Sequence, residues 1–378
     1  MRHRAGTAQA LRWTTAMAAC AVALLMVTGA RAHDEQAPAP GGRQGGPPQR
    51  LTDPVPTDRA LQGAIDLHAH QDPDSNGPSY GQAARSIDAI DLAKRAKASG
   101  MRGFVIKQHL DQTAGLAYYM RKLEPGMEIF GGIGSNLTMG PKVNPWAITH
   151  MTEIKGGWGR VVWMPSWDSE NSSHRVRNWK QPAFISVARC PSGGPFWANY
   201  PKPCEGGELL PEVKEAINVI ATKKTRDSNG DLILATGHNS PPEVMMMLRE
   251  AKRAGVKTVI VTHPLLDVVE MEDHEIKEAV NIGPGIYAEF TSQFGNPNAS
   301  PEMVKRYASA IRAAGVERAF VSSDTGQINS RFQPDALALA AQALRKQGFS
   351  EAELDMLLKI NPAKILGIAP PAAAAGSR

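Results

Sequence analysis

The sequence predicts an α/β fold, namely a (β/α)8 or TIM barrel in which eight parallel strands alternate with helices. Short apolar runs rich in Val, Ile and Phe occur eight times, as expected for strands buried in a parallel sheet, and segments with helical spacing separate them. Several of these runs end in His, Lys or Asp, the position at which such barrels carry their sites. A doubly wound sheet is the alternative, but the chain has no Gly-rich nucleotide-binding loop for it.

Residues 1–32 have the pattern of a cleavable signal peptide. Arginines precede a largely apolar stretch over residues 14–29, and Ala30, Arg31 and Ala32 form the small-x-small motif that a signal peptidase cuts. The apolar stretch is shorter than the about 20 residues that span a membrane. Cys20 lies inside this stretch rather than after it, which disfavours a lipoprotein anchor. We therefore expect a periplasmic or secreted protein with no membrane contact after cleavage.

Loss of the signal peptide changes the charge of the chain. It removes four arginines and no acidic residue, so the formal net charge falls from +5 to +1. A charge this small offers no footprint for nucleic acid, and we expect a small-molecule substrate. Residues 33–60, rich in Pro and Gly, are assigned to a disordered tether. One domain is predicted over residues 61–369 and a flexible tail over 370–378, while the choice between a monomer and a homo-oligomer stays open.

The predicted elements alternate regularly along the chain. Helix-start signals include the capping box from Ser240 to Glu243 and the Asn144–Pro145 pair. Further helices are expected to end at Gly100 and Gly315, to span residues 334–346, and to run from Ser350 through Leu358. The eight predicted strands are residues 64–70, 103–109, 128–133, 160–165, 232–238, 258–263, 286–290 and 319–323.

One connection, residues 167–207, lacks any regular period and is rich in aromatic residues. It contains Cys190 and Cys204, and an exported chain meets an oxidising compartment, so a disulfide is favoured over two free thiols. Because the segment follows the fourth strand, it would overhang the C-terminal face of the barrel. We expect a lid or a pocket wall, in which Trp167 either packs the lid or lines the pocket.

The ends of the strands carry the chemistry. His68 and His70 lie on one face of the first strand, because alternate strand residues share a face. His238 and His263 end the fifth and sixth strands, and Asp324 follows the eighth. These ends form one ring in a barrel, so five ligand-type side chains would converge. The set predicts a site for a divalent metal, with zinc favoured and manganese, iron or nickel as alternatives.

This arrangement resembles the amidohydrolase superfamily of metal-dependent hydrolases. The closing segment from Asn361 to Gly367 is also similar to that superfamily, and residues 230–264 resemble an uncharacterised, phosphotriesterase-like branch of it. The resemblance implies a metal-activated water that attacks an amide, ester, lactone or phosphoester. It further implies that Asp324 acts first as general base and then protonates the leaving group.

The sequence departs from the family pattern at the end of the fourth strand. Two-metal members carry a Lys or Glu bridge there, and residues 161–168 contain neither. Either the site holds one metal, which we favour, or the bridge comes from elsewhere. The candidates for such a bridge are Lys107, His109, Asp168 and Glu289.

Some of these residues have alternative interpretations. His109 is as compatible with a hydrogen-bonded core histidine as with a site residue. Lys107 is either catalytic or an ion-pair partner of Asp66 or Glu289. The catalytic candidates are Asp324, His263 and Lys107. The metal-ligand candidates are His68, His70, His238, His263, Asp324 and Lys107. The substrate-binding candidates are His109, Asp168, Trp167 and Glu289.

Two other functions remain open on the same scaffold. The first is a metal-dependent lyase such as a decarboxylase, and the second is a non-catalytic ligand-binding protein. A hydrolase would lose turnover and keep its metal when Asp324 becomes Asn, whereas a binding protein would keep its ligand affinity.

Overall fold

The computed structural model describes residues 49–74, 85–175, 183–199, 202–328 and 330–370. The predicted signal peptide, the first part of the predicted tether (33–48) and residues 371–378 of the predicted tail lie outside these ranges. No helix within the described ranges combines the length and apolar composition that crossing a membrane requires.

Eight parallel strands form the central sheet, and they lie side by side in the order in which they follow one another along the chain. A parallel bridge between Ala69 and Thr325 joins the first strand to the segment after the last, so that the sheet closes into a barrel. The predicted (β/α)8 barrel is confirmed, with each predicted strand present. The barrel strands are β1 (Ile65–His70), β2 (Gly103–Lys107), β3 (Glu128–Gly134), β4 (Gly159–Trp163), β7 (Ile233–Ala235), β8 (Thr258–Val261), β9 (Ile286–Thr291) and β10 (Ala319–Ser322).

The helices follow the strands as the capping signals predict. The Ser240–Glu243 capping box begins α6, and Gly255, at a φ of 82°, ends it. The last helix extends beyond the predicted end at Leu358, because a π-helical turn carries the chain into a further helix that ends at Gly367. The helices are α1 (Ala89–Ala98), α2 (Ala114–Leu123), α3 (Pro145–Thr152), α4 (Glu170–Arg175), α5 (Pro211–Thr222), α6 (Pro241–Ala254), α7 (Asp273–Asn281), α8 (Pro301–Ala314), α9 (Gln333–Lys346), α10 (Glu351–Asp355) and α11 (Asn361–Leu366).

Two apolar clusters hold the barrel together. The larger cluster lies between strands and helices, and the smaller one groups alternate strand residues with Ala363, Ile365 and Leu366 of α11. Trp163, at the end of β4, belongs to the smaller cluster and is almost fully buried. The inside of the barrel is therefore a packed core, and polar residues are left to the carboxyl ends of the strands.

The domain begins before the predicted boundary at residue 61. The side chain of Gln49 bonds Asp335 and the backbone of Phe332. Arg95 donates to the backbone oxygens of Asp53 and Pro54 at 3.1 and 2.8 Å. Residues 49–60, assigned from composition to the disordered tether, are thus ordered against α1 and α9, because their polar groups find specific partners there.

The long connection after β4 is also ordered where it is described. It contains α4 and a two-stranded hairpin of β5 (Ala188–Arg189) and β6 (Glu208–Leu209). Cys190 and Cys204 form the predicted disulfide, with a Cα–Cα distance of 5.8 Å. Trp197 is buried, and its backbone N–H donates to Glu170 of α4 at 3.3 Å, while its indole N–H donates to Glu243, in the first turn of α6, at 3.4 Å. This part of the connection is packed core, whereas Trp167 lies at the strand ends described next.

Candidate metal centre

The histidines of β1 reach the mouth of the barrel because the strand is irregular. Between Asp66 and Ala69 the register of β1 against β2 shifts by one residue. Leu67 packs inside the barrel, and Ala69 packs in the outer cluster. A bulge of this kind redirects the side chains that follow it, and bulges are common beside functional sites. His68 and His70 are both buried, and their ring centroids lie 5.0 Å apart.

Asp324, after β10, completes a three-residue group with these histidines. Its Oδ1 lies 3.3 Å from Nε2 of His68 and 3.2 Å from Nε2 of His70. One ligand atom from each of the three residues lies within 4.8 Å of the others. Asp324 has a φ of 49°, in the left-handed region, and its backbone N–H donates to the His68 carbonyl at 2.9 Å. Non-glycine residues keep such a conformation only where their surroundings impose it, which is common at functional sites.

The loop that carries Asp324 lies directly against β1. Gly326 has a φ of 118°, and a Cβ atom there would lie only 1.8 Å from the carbonyl oxygen of His70. A glycine is therefore required for the close approach that sets Asp324 beside the two histidines.

His238 and His263 lie next to this group. The rings of His263 and His68 are 5.9 Å apart, and those of His263 and His238 are 4.8 Å apart. Nδ1 of His238 and Nδ1 of His263 are buried and have no hydrogen-bond partner among the residues that the structure describes. Buried polar atoms in native proteins rarely lack a partner, and a bound cation would provide one. His263 also has a positive φ, 26°.

The donor set fits a divalent metal. Imidazole nitrogens and a carboxylate oxygen are the ligands of zinc and related ions at hydrolytic sites. The predicted convergence of His68, His70 and Asp324 is observed, and His238 and His263 lie beside them. Their assignment as metal ligands stays a prediction, because the convergence establishes proximity and donor chemistry only.

Glu289, on β9, holds two of these histidines from behind. Its Oε1 lies 3.0 Å from Nδ1 of His68 and accepts the hydroxyl of Ser322 at 2.6 Å. Its Oε2 accepts the backbone N–H of His263 at 3.2 Å. Donation of Nδ1–H to a carboxylate leaves Nε2 of His68 free to bind an ion. These contacts orient the two histidines, and a role of Glu289 as a bridge or a substrate contact stays a prediction.

The residues of this group shift one another's pKa values. Burial favours the neutral form of Asp324, but the imidazoles of His68, His70 and His263 outweigh it and lower the pKa of Asp324 to about 2. Burial also opposes charge on His68, yet Glu289 and Asp324 raise the pKa of His68 overall. For His70, burial dominates and lowers the pKa well below its usual value. Asp324 is therefore ionised at neutral pH and His70 is neutral.

Lys107, at the end of β2, is buried beside the group. Its Nζ lies 5.0 Å from the ring centroid of Trp163, at the end of β4. Burial lowers the pKa of Lys107 to about 8. Among the described residues, no carboxylate oxygen lies within 4.0 Å of this Nζ, so neither Asp66 nor Glu289 forms an ion pair with it. The ion-pair interpretation of Lys107 is therefore not supported, and the catalytic one stays a prediction.

His109 belongs to a second group, which shares His70 with the first. The rings of His109 and His70 stack at 4.7 Å. Nδ1 of His109 lies 3.4 Å from Oδ2 of Asp74, and one ligand atom from each of these three residues lies within 4.8 Å of the others. The guanidinium of Arg85 contacts this second group: its Nη2 bonds Asp74 and lies 3.0 Å from Nδ1 of His109.

Trp167 and Asp168 begin the long connection after β4 and differ in role. The indole N–H of Trp167 bonds Nε2 of His109, and its ring lies 6.0 Å from that of His238. Trp167 therefore lines the site. Asp168 is buried and accepts the backbone N–H of Leu137 at 2.8 Å, which supports the loop after β3. This contact is structural, and substrate binding by Asp168 stays a prediction.

The site as a whole is a closed circuit of six rings at the barrel mouth. Each ring has its neighbours at centroid distances between 4.7 and 6.0 Å. In order, the rings belong to His109, His70, His68, His263, His238 and Trp167. Burial is the main reason that the pKa values of His109 and His238 are lowered, and the charge of Lys107 lowers both further, so this charge acts across the circuit.

Asp74 and Arg85 were not singled out from the sequence. Both lie in the loop after β1, which was recognised only as an acidic, Gly- and Pro-containing segment. The sequence signal for Asp74 was its acidic side chain four residues after His70, in the segment that follows the predicted first strand. Arg85 had no such signal, since its position depends on how this loop returns to the barrel.

Comparison with known proteins supports the fold. A family model described as a family of unknown function (DUF6282) matches residues 63–289. No curated protein matches the chain. Among solved structures, a beta-aspartyl dipeptidase from Fervidobacterium islandicum AW-1 is similar with a TM-score of 0.52 and 12% identity, covering 84% of this chain and 79% of that one.

Two further structures show the same general likeness. An amidohydrolase from Burkholderia multivorans with bound zinc has a TM-score of 0.48 and 11% identity, covering 81% of this chain and 99% of that one. A 2,6-dihydroxybenzoate decarboxylase has a TM-score of 0.48 and 10% identity, covering 81% and 100%. At such identities the likeness concerns the fold alone. The likeness agrees with the predicted barrel, and the relationship to the amidohydrolase superfamily, with its narrower phosphotriesterase-like branch, stays a prediction.

Proposed function

Because the chain belongs to the family of unknown function DUF6282 and has the fold of the amidohydrolase superfamily, we propose that it is a metal-dependent hydrolase. One observation carries the proposal. Residues from opposite ends of the barrel domain, His68 and His70 on β1 and Asp324 after β10, bring ligand atoms within 4.8 Å of one another. Nothing in the packing of a barrel requires two imidazoles and a carboxylate to share one buried place, whereas a cation does.

The residues that would hold the ion are His68, His70 and Asp324, with His238 and His263 beside them. When bound, a divalent metal would polarise a carbonyl or phosphoryl oxygen and lower the pKa of a bound water to about 7. We propose a single ion, because the guanidinium of Arg85 already contacts two of the three residues in the second group. A second cation there would be repelled by this positive charge. Zinc is the proposed metal, with manganese, iron or nickel as alternatives.

Asp324 is the proposed proton acceptor. Its pKa of about 2 keeps it ionised at neutral pH, so a proton released by the attacking water can move to its carboxylate. Oδ2 of Asp324 accepts the side-chain amide of Gln293 at 3.2 Å, which fixes the carboxylate in the site. The same carboxyl group then returns the proton to the leaving group of an amide, ester, lactone or phosphoester.

The surrounding residues orient and shield this chemistry. Glu289 keeps Nε2 of His68 directed to the site by accepting Nδ1–H at 3.0 Å. Trp163 and Trp167 form apolar walls, and a partly dry site strengthens the electrostatic contacts inside it. Lys107 and His263 are proposed to take part in catalysis, Lys107 through a positive charge that offsets developing negative charge.

The test is a metal analysis of protein purified without chelator, combined with a screen of amide, ester, lactone and phosphoester substrates. We expect about one metal ion per chain, loss of activity on chelation and recovery with Zn²⁺ or Mn²⁺. Activity that persists in excess chelator would contradict the metal mechanism. Release of CO₂ in place of a hydrolysis product would assign the protein to the lyases, and ligand binding without turnover would assign it to the binding proteins.

Export is a separate proposal. A disulfide between Cys190 and Cys204 is compatible with an oxidising compartment and therefore supports it. The amino-terminal sequence of the mature protein tests it, with cleavage near Ala32 expected. A full-length amino terminus in the cytoplasmic fraction would contradict it.

A further inference from the structure

Arg85 is a buried arginine at the edge of the candidate metal centre. Its side chain is 3% exposed. Nη2 bonds Asp74 and lies 3.0 Å from Nδ1 of His109, whose ring stacks on His70 at 4.7 Å. The guanidinium is thus separated from a proposed metal ligand by a single imidazole.

Most of the hydrogen-bonding capacity of Arg85 is unused. Nε and Nη1 are buried and have no hydrogen-bond partner among the described residues. An arginine presents five N–H donors in a rigid fork, and leaving buried donors without acceptors is costly. A buried charged group with open donors is therefore unusual in a native structure and indicates that an acceptor is missing.

Arg95 shows what a purely structural buried arginine looks like in the same chain. It also lies in a buried position, and each of its three nitrogens has an acceptor. Nε and Nη2 bond the two carboxylate oxygens of Asp335, while Nη1 and Nη2 bond backbone oxygens. The chain thus satisfies a guanidinium completely where the role is to hold the fold, and it does not do so at Arg85.

Arg85 is not needed to anchor its own loop. Its backbone forms an antiparallel bridge with Gln327, in the segment after β10. Its backbone N–H donates to Oδ2 of Asp72 at 3.3 Å, and the N–H of Ser86 donates to the carbonyl of Gly326 at 2.8 Å. These contacts fix the loop without the guanidinium, which leaves the side chain for another role.

The missing acceptor is expected to be an oxyanion. The planar fork of a guanidinium matches the two oxygens of a carboxylate or a phosphate. Lys107 adds a second buried cation to the same region, whereas Asp74 is the one carboxylate that contacts the guanidinium of Arg85 within the described residues. A cationic ligand would be repelled, and a neutral carbonyl would satisfy the fork only in part.

We propose that Arg85 binds a carboxylate or phosphate group of the substrate, so that this protein acts on anionic molecules. The proposal rests on the hydrolase function proposed above and narrows its substrate class. The bond to be cleaved would lie at the His68, His70 and Asp324 group, and the anionic group would lie at Arg85, beyond His109. In this role Arg85 determines specificity and takes no part in proton transfer.

The test measures anion binding rather than turnover, so that it stands apart from the test of hydrolysis. Inorganic phosphate and malonate are titrated calorimetrically into the zinc-loaded protein, into the same protein after chelation, and into zinc-loaded Asp324→Asn. Arg85→Gln and Arg85→Lys are compared with the matched control Arg95→Gln. The circular dichroism spectrum of each variant confirms that it is folded at the temperature used.

We expect Arg85→Gln to raise the Kd of at least one anion by about tenfold or more, while Arg95→Gln changes it by less than about twofold. Arg85→Lys keeps the charge but loses the fork, so its Kd should also rise, and this variant decides the matter if Arg85→Gln does not fold. Tighter binding of malonate than of phosphate would assign a carboxylate substrate, and the reverse would assign a phosphate.

Three results would overturn the proposal. They are an unchanged Kd in both Arg85 variants, no binding of either anion to the wild type, and binding that chelation abolishes but Arg85→Gln leaves intact. Anion binding that depends on Arg85, together with failure to hydrolyse any substrate, would count against the hydrolase and leave the anion site standing.

Discussion

Two groups of ligand-type residues share His70, and the difference between them is instructive. The first group adds His68 and Asp324, and the second adds Asp74 and His109. Both contain two histidines and one aspartate with ligand atoms within 4.8 Å of one another. Within the part of the chain that the structure describes, only the second has an arginine among its contacts. Donor type and spacing are thus the same in both groups, and the difference between them is the guanidinium of Arg85, which takes the place of an ion in the second group.

The two aspartates provide the strongest test of this difference. Asp324→Asn should lower turnover by about 10²–10⁴-fold, the usual contribution of a general base, with metal retained by the histidines. Asp74→Asn should keep the metal content of the wild type and lose far less turnover, because Asp74 contacts Arg85 instead. Steady-state kinetics together with metal analysis check both. Equal losses of turnover in the two variants would contradict the proposed difference between the two groups.

The histidines extend the comparison to metal affinity. His68→Ala removes a proposed ligand and should weaken zinc binding by more than about 100-fold, beyond the effect of losing an outer contact. His109→Ala, the matched change in the second group, should weaken it by less than about tenfold. Competition with a zinc-selective chromophoric chelator gives both values. If His109→Ala released the metal as readily as His68→Ala, the ion would bind between the two groups.

The pKa of Lys107 is affected by the aspartates of both groups, so its titration can be used to compare them. Its pKa of about 8 lies below the unfolded value of 10.5, so the protonated lysine destabilises the folded state at pH 7. The unfolded chain binds the proton more tightly, and stability should rise as the pH increases from 8 to 10.5. Lys107→Met should therefore stabilise the metal-free protein by about 3 kcal/mol at pH 7, with a gain that shrinks toward pH 10.5.

Urea unfolding between pH 7 and pH 10.5 measures the stability gained in Lys107→Met, and Lys94→Met, a change at an exposed lysine, is the control. Among the charges that raise the pKa of Lys107, Asp74 contributes more than Asp324. The pH at which stability rises should accordingly fall further in Asp74→Asn than in Asp324→Asn. A lysine that titrates at its ordinary pKa in the folded protein would contradict this account.

An effect smaller than that of His68→Ala is expected at Glu289, which contacts the first group without belonging to it. Glu289→Gln keeps the shape of the side chain but weakens the hydrogen bond to Nδ1 of His68, and such outer contacts are worth about 10–100-fold in metal affinity. Glu170→Gln, a buried carboxyl outside both groups, is the control and should leave zinc affinity unchanged. An unaltered affinity in Glu289→Gln would mean that the packing of His68 alone fixes its orientation.

Much of the fold was accessible from the sequence because it depends on local signals. Apolar runs mark the strands, and capping residues such as Ser240 and Asn144 begin helices as predicted. The prediction that His68, His70 and Asp324 lie together was correct, because a barrel places the carboxyl ends of all its strands on one face. The disulfide between Cys190 and Cys204 was also predicted, from the position of the two cysteines in one connection and from the expected export of the chain.

Other features could not be derived in this way. The bulge between Asp66 and Ala69 follows from pairing with β2, and the sequence of β1 alone gives no sign of it. The positive φ angles of His263 and Asp324 result from the loops that hold them. The order of residues 49–60 depends on partners on helices α1 and α9, which composition cannot reveal.

Periodicity and capping are local properties of the chain, and they were enough to predict the barrel, the order of its elements and five ligand-type residues at the strand ends. Which of the histidines lie beside Asp324 and which lie beside Arg85 depends on tertiary contacts. That division arises because the backbone of Arg85 pairs with that of Gln327, in the segment after β10. Contacts between loops depend on the closed barrel beneath them, and no local pattern of residues encodes them.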